Sequence, residues 1–529
     1  MFQKNKLDFF SIGGQVNNSS SQNEFSIIRA MKIIQRFGMN SVAFPVYWSR
    51  LEPQEDHFNF EQVDFIIDQA NTFNVKLILL WFGSWKNGTS HYIPAWMKRD
   101  HARFPRVLDS VGNECMVLSP HFEESLRADQ RAFDALLSHV KEYDQGHRII
   151  AVQVENEPGI HASPRDYSET ANLLFENDVP NEVREFVFSE KEMGITAIWR
   201  KAGAVNNGNW RDFFGHDAEE LFSAFYFATY INRIAQSGKK IYDIPLYINV
   251  WVKETQNRIP GIDFPCGGAT STAIGIWKQF APSIDCICPD LYFNDRETYM
   301  HECSVYSRED NPLYIPESHA DGVNSLRIFE AIGKYDLTGI QVFAIDATVQ
   351  ENGELTEAGE TYKRTVNILT SMKPLLEKYY KTGRIYSVVQ HEFADSLYLE
   401  FEDYFGRVLF FDKIDEPYVH LDNLHEDRKY LTYRGKGLIV DAGGGTFYLA
   451  GEGFKLMLIP KKDGTHLSTA MLGIRNLSAN NCPFISVEEG YMDEMGIFMA
   501  VRERTGDEDD NGLWVTSDIG LVRAIVDKG

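Results

Sequence analysis

Asn40-Ser41-Val42-Ala43-Phe44-Pro45-Val46-Tyr47-Trp48 and Lys76-Leu77-Ile78-Leu79-Leu80-Trp81-Phe82-Gly83 are two almost unbroken apolar runs, and between them Glu61 to Phe73 carries its apolar residues at helical spacing. Strands of a parallel sheet are covered on both faces, so they read as continuous hydrophobic runs joined by helical crossovers. The same alternation extends in both directions. Before it lies Phe9 to Val16, followed by a helical pattern over Glu24 to Phe37 that stops at Gly38, where a C-terminal cap wants positive φ. After it come Ile149 to Glu157, Ile244 to Val252, Ser283 to Tyr292, Leu313 to His319 and Gly339 to Asp346. Eight such runs, each with room for a helix before the next, predict an α/β fold of the (β/α)₈ TIM barrel type. A doubly wound open sheet would ask for a glycine-rich turn after its first strand, but Ile12-Gly13-Gly14-Gln15 lies within the run and lacks GxGxxG.

Two connections are long, Ser84 to Arg148 and Ile160 to Asp243, the second with a helical pattern through Glu219 to Gln236. Long loops after barrel strands are expected to build an active-site wall. A last helix is predicted over Glu357 to Tyr380. From about Gly383 the period falls to two, as in Leu397-Tyr398-Leu399-Glu400-Phe401 and Thr446-Phe447-Tyr448-Leu449, broken by glycine turns such as Gly443-Gly444-Gly445. The sequence thus divides into a catalytic barrel over 1–382 and an antiparallel, β-sandwich-like accessory domain over 383–529.

The 529 residues are 43% hydrophobic and 24% charged, the balance of a globular enzyme rather than a disordered or fibrous chain. A formal net charge of −24 repels phosphate backbones and anionic headgroups, which argues against nucleic acid or a membrane as a partner. Six scattered cysteines form neither a CxxC pair nor a disulfide framework, and Cys286 and Cys288 read as packing residues in a reducing compartment. Met1 to Asp8 lacks the apolar stretch of a signal peptide, and no uncharged 18-residue apolar run follows, so a cytoplasmic location is expected.

Catalysis in a barrel belongs to the C-terminal strand ends. Two carboxylates stand there: Glu157, closing the fourth run in Gln153-Val154-Glu155-Asn156-Glu157-Pro158, and Glu317, closing the seventh in Tyr314-Ile315-Pro316-Glu317-Ser318. Cleavage of a glycosidic bond needs such a pair, one group to protonate the leaving oxygen and one to attack the anomeric carbon or activate a water. Asn156-Glu157-Pro158 after an apolar strand resembles the acid/base signature of the retaining glycosidases of clan A, in which the asparagine holds the substrate 2-hydroxyl and a glutamate ending the seventh strand is the nucleophile. Phe10-Ser11-Ile12-Gly13-Gly14-Gln15-Val16, Trp81-Phe82-Gly83-Ser84-Trp85-Lys86-Asn87-Gly88 and Pro312-Leu313-Tyr314-Ile315-Pro316-Glu317 resemble the bacterial branch of glycoside hydrolase family 35, which holds β-galactosidases and carries an accessory C-terminal domain. Tyr47-Trp48-Ser49-Arg50-Leu51-Glu52-Pro53 also resembles a segment shared with β-galactosidase family 42.

The resemblance implies a retaining, exo-acting β-galactosidase that hydrolyses terminal β-D-galactosyl residues by double displacement, with Glu157 as acid/base and Glu317 as nucleophile. A β-glucosidase or transglycosylase of the same mechanism, and a carbohydrate-binding protein on a degenerate barrel, are the alternatives. No metal and no cofactor is expected; the expected partner is a carbohydrate substrate, and association into a homo-oligomer stays open. Tyr292 stands where related enzymes place a tyrosine that hydrogen-bonds the nucleophile. Asn156, Asp290, Asn249 and Tyr47 are further substrate-binding candidates. Trp81, Trp85 and Trp251 sit at or next to strand ends and are equally readable as sugar-stacking rings or as core. Glu155, two residues before Glu157, should share its face of the strand and acts either on the pKa of Glu157 or as a buried structural acid. The acidic Asp507-Glu508-Asp509-Asp510 reads as a solvated loop rather than a calcium site.

Overall fold

The computed structural model describes residues 6–527 except 256, 393, 412–433, 462–481, 494 and 511. Eight parallel strands follow one another round a ring: β1 (Ser11–Gln15), β2 (Ser41–Tyr47), β3 (Lys76–Lys86), β4 (Ile149–Asn156), β5 (Leu246–Trp251), β6 (Cys286–Leu291), β7 (Glu317–Ser318) and β8 (Gly339–Val342). Each lies within one of the eight apolar runs except β3, which continues three residues further, to Lys86. β8 pairs back onto β1, with Ser11 opposite Gly339. Only two residues of the seventh run are regular strand, because Pro316 removes a ladder donor. The ring nonetheless closes there: Ile315 N donates to Gly339 O at 3.2 Å, Gln341 N to Ile315 O at 2.9 Å and Phe343 N to Ser318 O at 3.0 Å.

Helices cover the outside: α1 (Glu24–Phe37), α2 (Glu61–Phe73), α3 (Glu123–Tyr143), α4 (Ala218–Ile241), α5 (Ile274–Phe280), α6 (Arg296–Tyr306), α7 (Gly322–Tyr335) and α8 (Glu357–Tyr379). α1 begins where the Asn23 side chain accepts Ser26 N and ends at Gly38, whose φ is +75°. The inside of the barrel is packed, not hollow. Ala43, Tyr47, Ile78, Leu80, Phe82, Ala151, Tyr247, Cys286, Cys288 and Tyr314 fill it, so the two cysteines face the same interior as packing residues. At its floor Gln341 bonds Ser11 and Ser41, and a Cβ on Gly13 would lie 2.4 Å from its amide oxygen, which requires glycine there.

The two long connections carry secondary structure of their own. The first holds an antiparallel hairpin (Arg106–Leu108 with Glu114–Leu118), and the second four short helices between Glu169 and Phe214.

Beyond α8 the chain forms two antiparallel sheets. One has six strands in the order β9 (Ile385–Val389), β12 (Lys436–Gly443), β13 (Thr446–Glu452), β18 (Leu521–Val526), β15 (Phe484–Met492) and β16 (Phe498–Glu503). The other has four, β10 (Ser396–Glu400), β11 (Tyr404–Phe410), β14 (Phe454–Pro460) and β17 (Leu513–Val515). Period two explains how the larger sheet serves two cores. Ile439, Phe447, Leu449 and Val522 point between the sheets, whereas Leu438, Val440 and Leu521 join the barrel core. Gly443, Gly444 and Gly445 all have positive φ and form the β12–β13 turn. Asp507–Asp510 is one helical turn; the side chains of Asp507 and Asp510 lie outside the described residues.

A buried ion cluster ties sheet to barrel: Glu452 on β13 lies 3.1 Å from Arg364 of α8 and 3.2 Å from the buried Lys436 of β12. Removing one partner strands a charge away from water. Glu452→Ala is therefore expected to cost about 3 kcal/mol of stability, read as a lower denaturation midpoint in urea; a midpoint unchanged from that of the parent protein would show that the cluster contributes nothing.

Candidate active site

The ends of β3 to β8, with the turn after β1, enclose a cleft of about 460 Å³ whose polar floor is Lys86, Asn87, Glu157, Asp290, Tyr292 and Glu317 and whose rim includes Trp251, Phe293, His319 and Phe343. Glu317 is 5% exposed and surrounded by donors. Tyr292 OH donates to Oε2 at 2.6 Å, and Gln15 Nε2, Asn156 Nδ2 and Asn249 Nδ2 approach Oε1 at 2.9, 3.3 and 3.5 Å. These bonds tie β1, β4, β5 and the end of β6 to a single carboxylate, aiming it into the cleft.

Glu157 is 7% exposed and sits just past the end of β4, with φ +44°. A non-glycine residue in that region is strained, and surrounding bonds must hold it. Here Asn249 Oδ1 accepts Glu157 N at 2.8 Å, and Glu157 O accepts Gly88 N at 3.2 Å. Burial, followed by the charge of Glu317, pushes its carboxyl up to about 7, against the opposing pull of Lys86. Asn249 Nδ2 also donates to Asp290 Oδ2 at 2.7 Å, and Asp290 lies opposite Glu317 in the β6–β7 pairing. Two carboxyl groups therefore meet across one cleft, one clasped by donors and one kept largely apart from them, which suits one group for ionised and one for protonated work near neutrality.

Of the residues singled out from sequence, Glu157, Glu317, Asp290, Tyr292 and Trp251 line this cleft, and Asn156 and Asn249 reach it through their bonds to Glu317. Trp251 is 36% exposed and lies nearly parallel to His161, with 6.2 Å between ring centres. Three candidates are corrected. Trp81 is fully buried on the outer face of β3, where it packs on Trp48 and Phe133 and donates to Asp129 of α3 at 3.0 Å. Trp85 is also fully buried, against Phe227 and Tyr230 of α4. Neither can stack on a sugar. Tyr47 lies inside the barrel against Phe82 and Tyr92, and its OH donates to Asn18 O, so it supports a cleft residue without lining the cleft.

Glu155 does not share the face of Glu157. Its φ of +64° breaks the alternation of β4 and turns its carboxyl outward to Trp85 N at 2.7 Å and to the Asp129 carboxyl. Burial and the Asp129 charge drive it well above the usual carboxylate range. A Cβ on Gly83 would fall 2.7 Å from Glu155 Oε1, which explains the glycine opposite it. Glu155 is thus the buried structural acid of the two expected roles. Gln15, Asn18, Lys86, Asn87 and His319 are cleft or second-layer residues not singled out from sequence. Gln15 and His319 carry a readable signal, since each stands at or next to the end of an apolar run, whereas Lys86 lies three residues past the run that ends at Gly83.

A family model described as beta-galactosidase, glycoside hydrolase family 42, matches residues 18–201, and a domain of unknown function, DUF5597, matches residues 362–516. The family matched is therefore 42 and not the family 35 that the motifs resemble. Among solved structures, the catalytic domain of β-amylase from Paenibacillus polymyxa is similar over 68% of this chain and 98% of its own, at 13% identity and a TM-score of 0.50. Gan42B, a family 42 β-galactosidase from G. stearothermophilus, is similar over 71% of this chain and 59% of its own, at 14% identity and a TM-score of 0.50. Both share the fold; this chain spans about three fifths of the length of the β-galactosidase. No helix among the described residues is long and apolar enough to cross a membrane. With a TIM barrel, a carboxyl-floored cleft at its mouth and a β-galactosidase family match over residues 18–201, the chain is a glycoside hydrolase.

Proposed function

We propose that the chain is a retaining, exo-acting β-galactosidase in which Glu157 is the acid/base and Glu317 the nucleophile. The observation that carries this reading is the unequal treatment of the two carboxyls: Glu317 is ringed by Tyr292, Gln15, Asn156 and Asn249, whereas Glu157 is buried with a proton affinity raised to about 7. A proton donor for the leaving oxygen and a carboxylate for the anomeric carbon are the two parts that double displacement uses. Asp290 neighbours both, within hydrogen-bond range of Glu157 and opposite Glu317 in the backbone pairing. The retaining assignment rests on the resemblance of Asn156-Glu157-Pro158 to the clan A signature. The galactosyl preference rests on the description of the matched family.

The test is release of p-nitrophenol from β-galactoside, β-glucoside, β-xyloside, β-fucoside and α-L-arabinoside. The β-galactoside is expected to have the highest kcat/KM, with the β-anomer of the sugar as first product by NMR. A different best glycoside replaces the sugar, an α-anomer as first product removes the retaining mechanism, and silence across the panel removes the reading.

A further inference from the structure

Asp290 is the third carboxyl of the cleft, and its surroundings fit a proton partner better than a sugar ligand. It is 3% exposed, on β6 between Asn249 of β5 and Glu317 of β7. Its Oδ2 is occupied by Asn249 Nδ2 at 2.7 Å. No N–H or O–H reaches its buried Oδ1, and the Asp290 and Glu157 carboxyls lie within side-chain hydrogen-bond range of one another. Two ionised carboxylates cannot make that bond, so it exists only when one of them carries a proton. The same Asn249 holds Glu157 N and Asp290 Oδ2, so one amide fixes both ends of the carboxyl pair.

Resting on the reading of Glu157 as acid/base, we propose that Asp290 is a positioning residue that keeps its own proton and donates it, through Oδ1–H, as a hydrogen bond to Glu157. In glycosylation the Glu157 proton passes to the glycosidic oxygen, the C1–O bond breaks with its electron pair on that oxygen, and Glu317 bonds to C1. The carboxylate left on Glu157 is then stabilised by the Asp290 O–H, which stays on Asp290. In deglycosylation the water oxygen bonds to C1 while its proton passes to Glu157, and the bond from C1 to Glu317 breaks with its electron pair on Glu317, so both glutamates return to their starting states.

The charged groups facing Asp290 agree with a neutral acid at that position. The Glu317 and Glu157 charges oppose its ionisation and Lys86 favours it, with burial the largest influence and the net direction strongly upward. The other titratable groups against it are uncharged near neutrality: Tyr247 on β5, Cys288 on β6, Tyr292 and Tyr306 of α6. The assignment also explains why a donor set as rich as that of Glu317 is lacking around Glu157. A single donated bond lets Glu157 act as acid in one step and base in the next, where several would hold it ionised.

The test compares Asp290→Ala and Asp290→Asn by the pH profile of kcat/KM. Asp290→Asn keeps a neutral donor towards Glu157 and an acceptor towards Asn249, so its alkaline limb should stay near that of the wild type. Asp290→Ala removes the donor, raises the proton affinity of Glu157 and should move the alkaline limb up by about one pH unit. A limb that stays put in both variants while KM rises would make Asp290 a sugar ligand; a limb that moves down would make it an ionised acceptor. Either result overturns the inference. Difference infrared spectroscopy at neutral pH reads the same proton without catalysis: Asp290→Asn should delete one protonated-carboxyl band, and an unchanged band overturns the assignment whether or not the wild type turns over any glycoside. A wild type silent on the whole glycoside panel, by contrast, would fail the reading of Glu157 and leave the infrared result to decide Asp290.

Discussion

Glu317→Gln is expected to lower kcat by roughly 10⁴–10⁶-fold, the scale seen when a covalent nucleophile is deleted. The substitution is nearly isosteric, but an amide cannot bond to C1 of a sugar and leave as a carboxylate. It also keeps the hydrogen-bond pattern. Glu317 accepts from Gln15, Asn156 and Asn249 on Oε1, where the amide oxygen can still accept, and from Tyr292 on Oε2, where the amide N–H₂ meets a hydroxyl that can accept. The variant should therefore lose its chemistry and keep most of its stability, and thermal unfolding measured alongside checks this. Binding of the preferred sugar should survive within about tenfold, since hydroxyl contacts do not need the nucleophile. A variant that folds and keeps more than about a tenth of wild-type turnover would remove Glu317 from the mechanism. Full sugar binding by a wild type without turnover would instead favour a binding protein built on a hydrolase barrel.

How much of this was legible in the sequence depends on what burial does to a strand. Covered on both faces, all eight barrel strands show up as apolar runs, and the glycine that stops a helical pattern marks a real cap, as Gly38 does for α1. The same double burial hides orientation. In Lys76 to Phe82 every residue from Leu77 onward is apolar, so nothing in the run says that Ile78, Leu80 and Phe82 face inward and Trp81 outward. Trp81 and Trp85 were for that reason readable as sugar platforms, and only packing on α3 and α4 decides otherwise. Glu155 fails for another reason: period-two reasoning assumes an unbroken strand, and positive φ at both Glu155 and Glu157 breaks it. That local strain lies at the acid/base candidate itself, where local rules are most often overridden by function. Gln15 and His319 obey the strand-end rule that marks Glu157 and Glu317 but are not acids, whereas Lys86 lies beyond the apolar run that ends at Gly83, where β3 continues through Ser84 and Trp85. The C-terminal sheets were visible as alternation, but which alternate residues face the barrel, such as Leu438 and Val440, needed the structure.

Glu157→Ala should divide substrates by their leaving group. For a galactoside with a poor leaving group, such as a sugar, loss of the proton donor should cost ~10²–10⁴-fold in kcat/KM. For a dinitrophenyl galactoside, whose leaving oxygen departs without a proton, glycosylation should be nearly untouched, while deglycosylation slows because no base activates the water. The glycosyl-enzyme on Glu317 then accumulates, visible as a burst of phenol followed by a slow steady state and a low KM. Azide, a small anion that needs no general base, should enter the space vacated by the side chain, restore turnover and yield a β-glycosyl azide. The pH profile supplies the sign. In the wild type Glu157 must hold a proton to act as acid, and burial together with the charge of Glu317 raises its affinity to about 7, so kcat/KM falls as pH rises through that value. In Glu157→Ala that alkaline fall should vanish for the dinitrophenyl substrate. If the fall persists, another group sets it, and Asp290, hydrogen-bonded to Glu157, becomes the next one to replace. If substrates with good and poor leaving groups are slowed alike, Glu157 only shapes the cleft, and the division of labour between the two glutamates has to be redrawn.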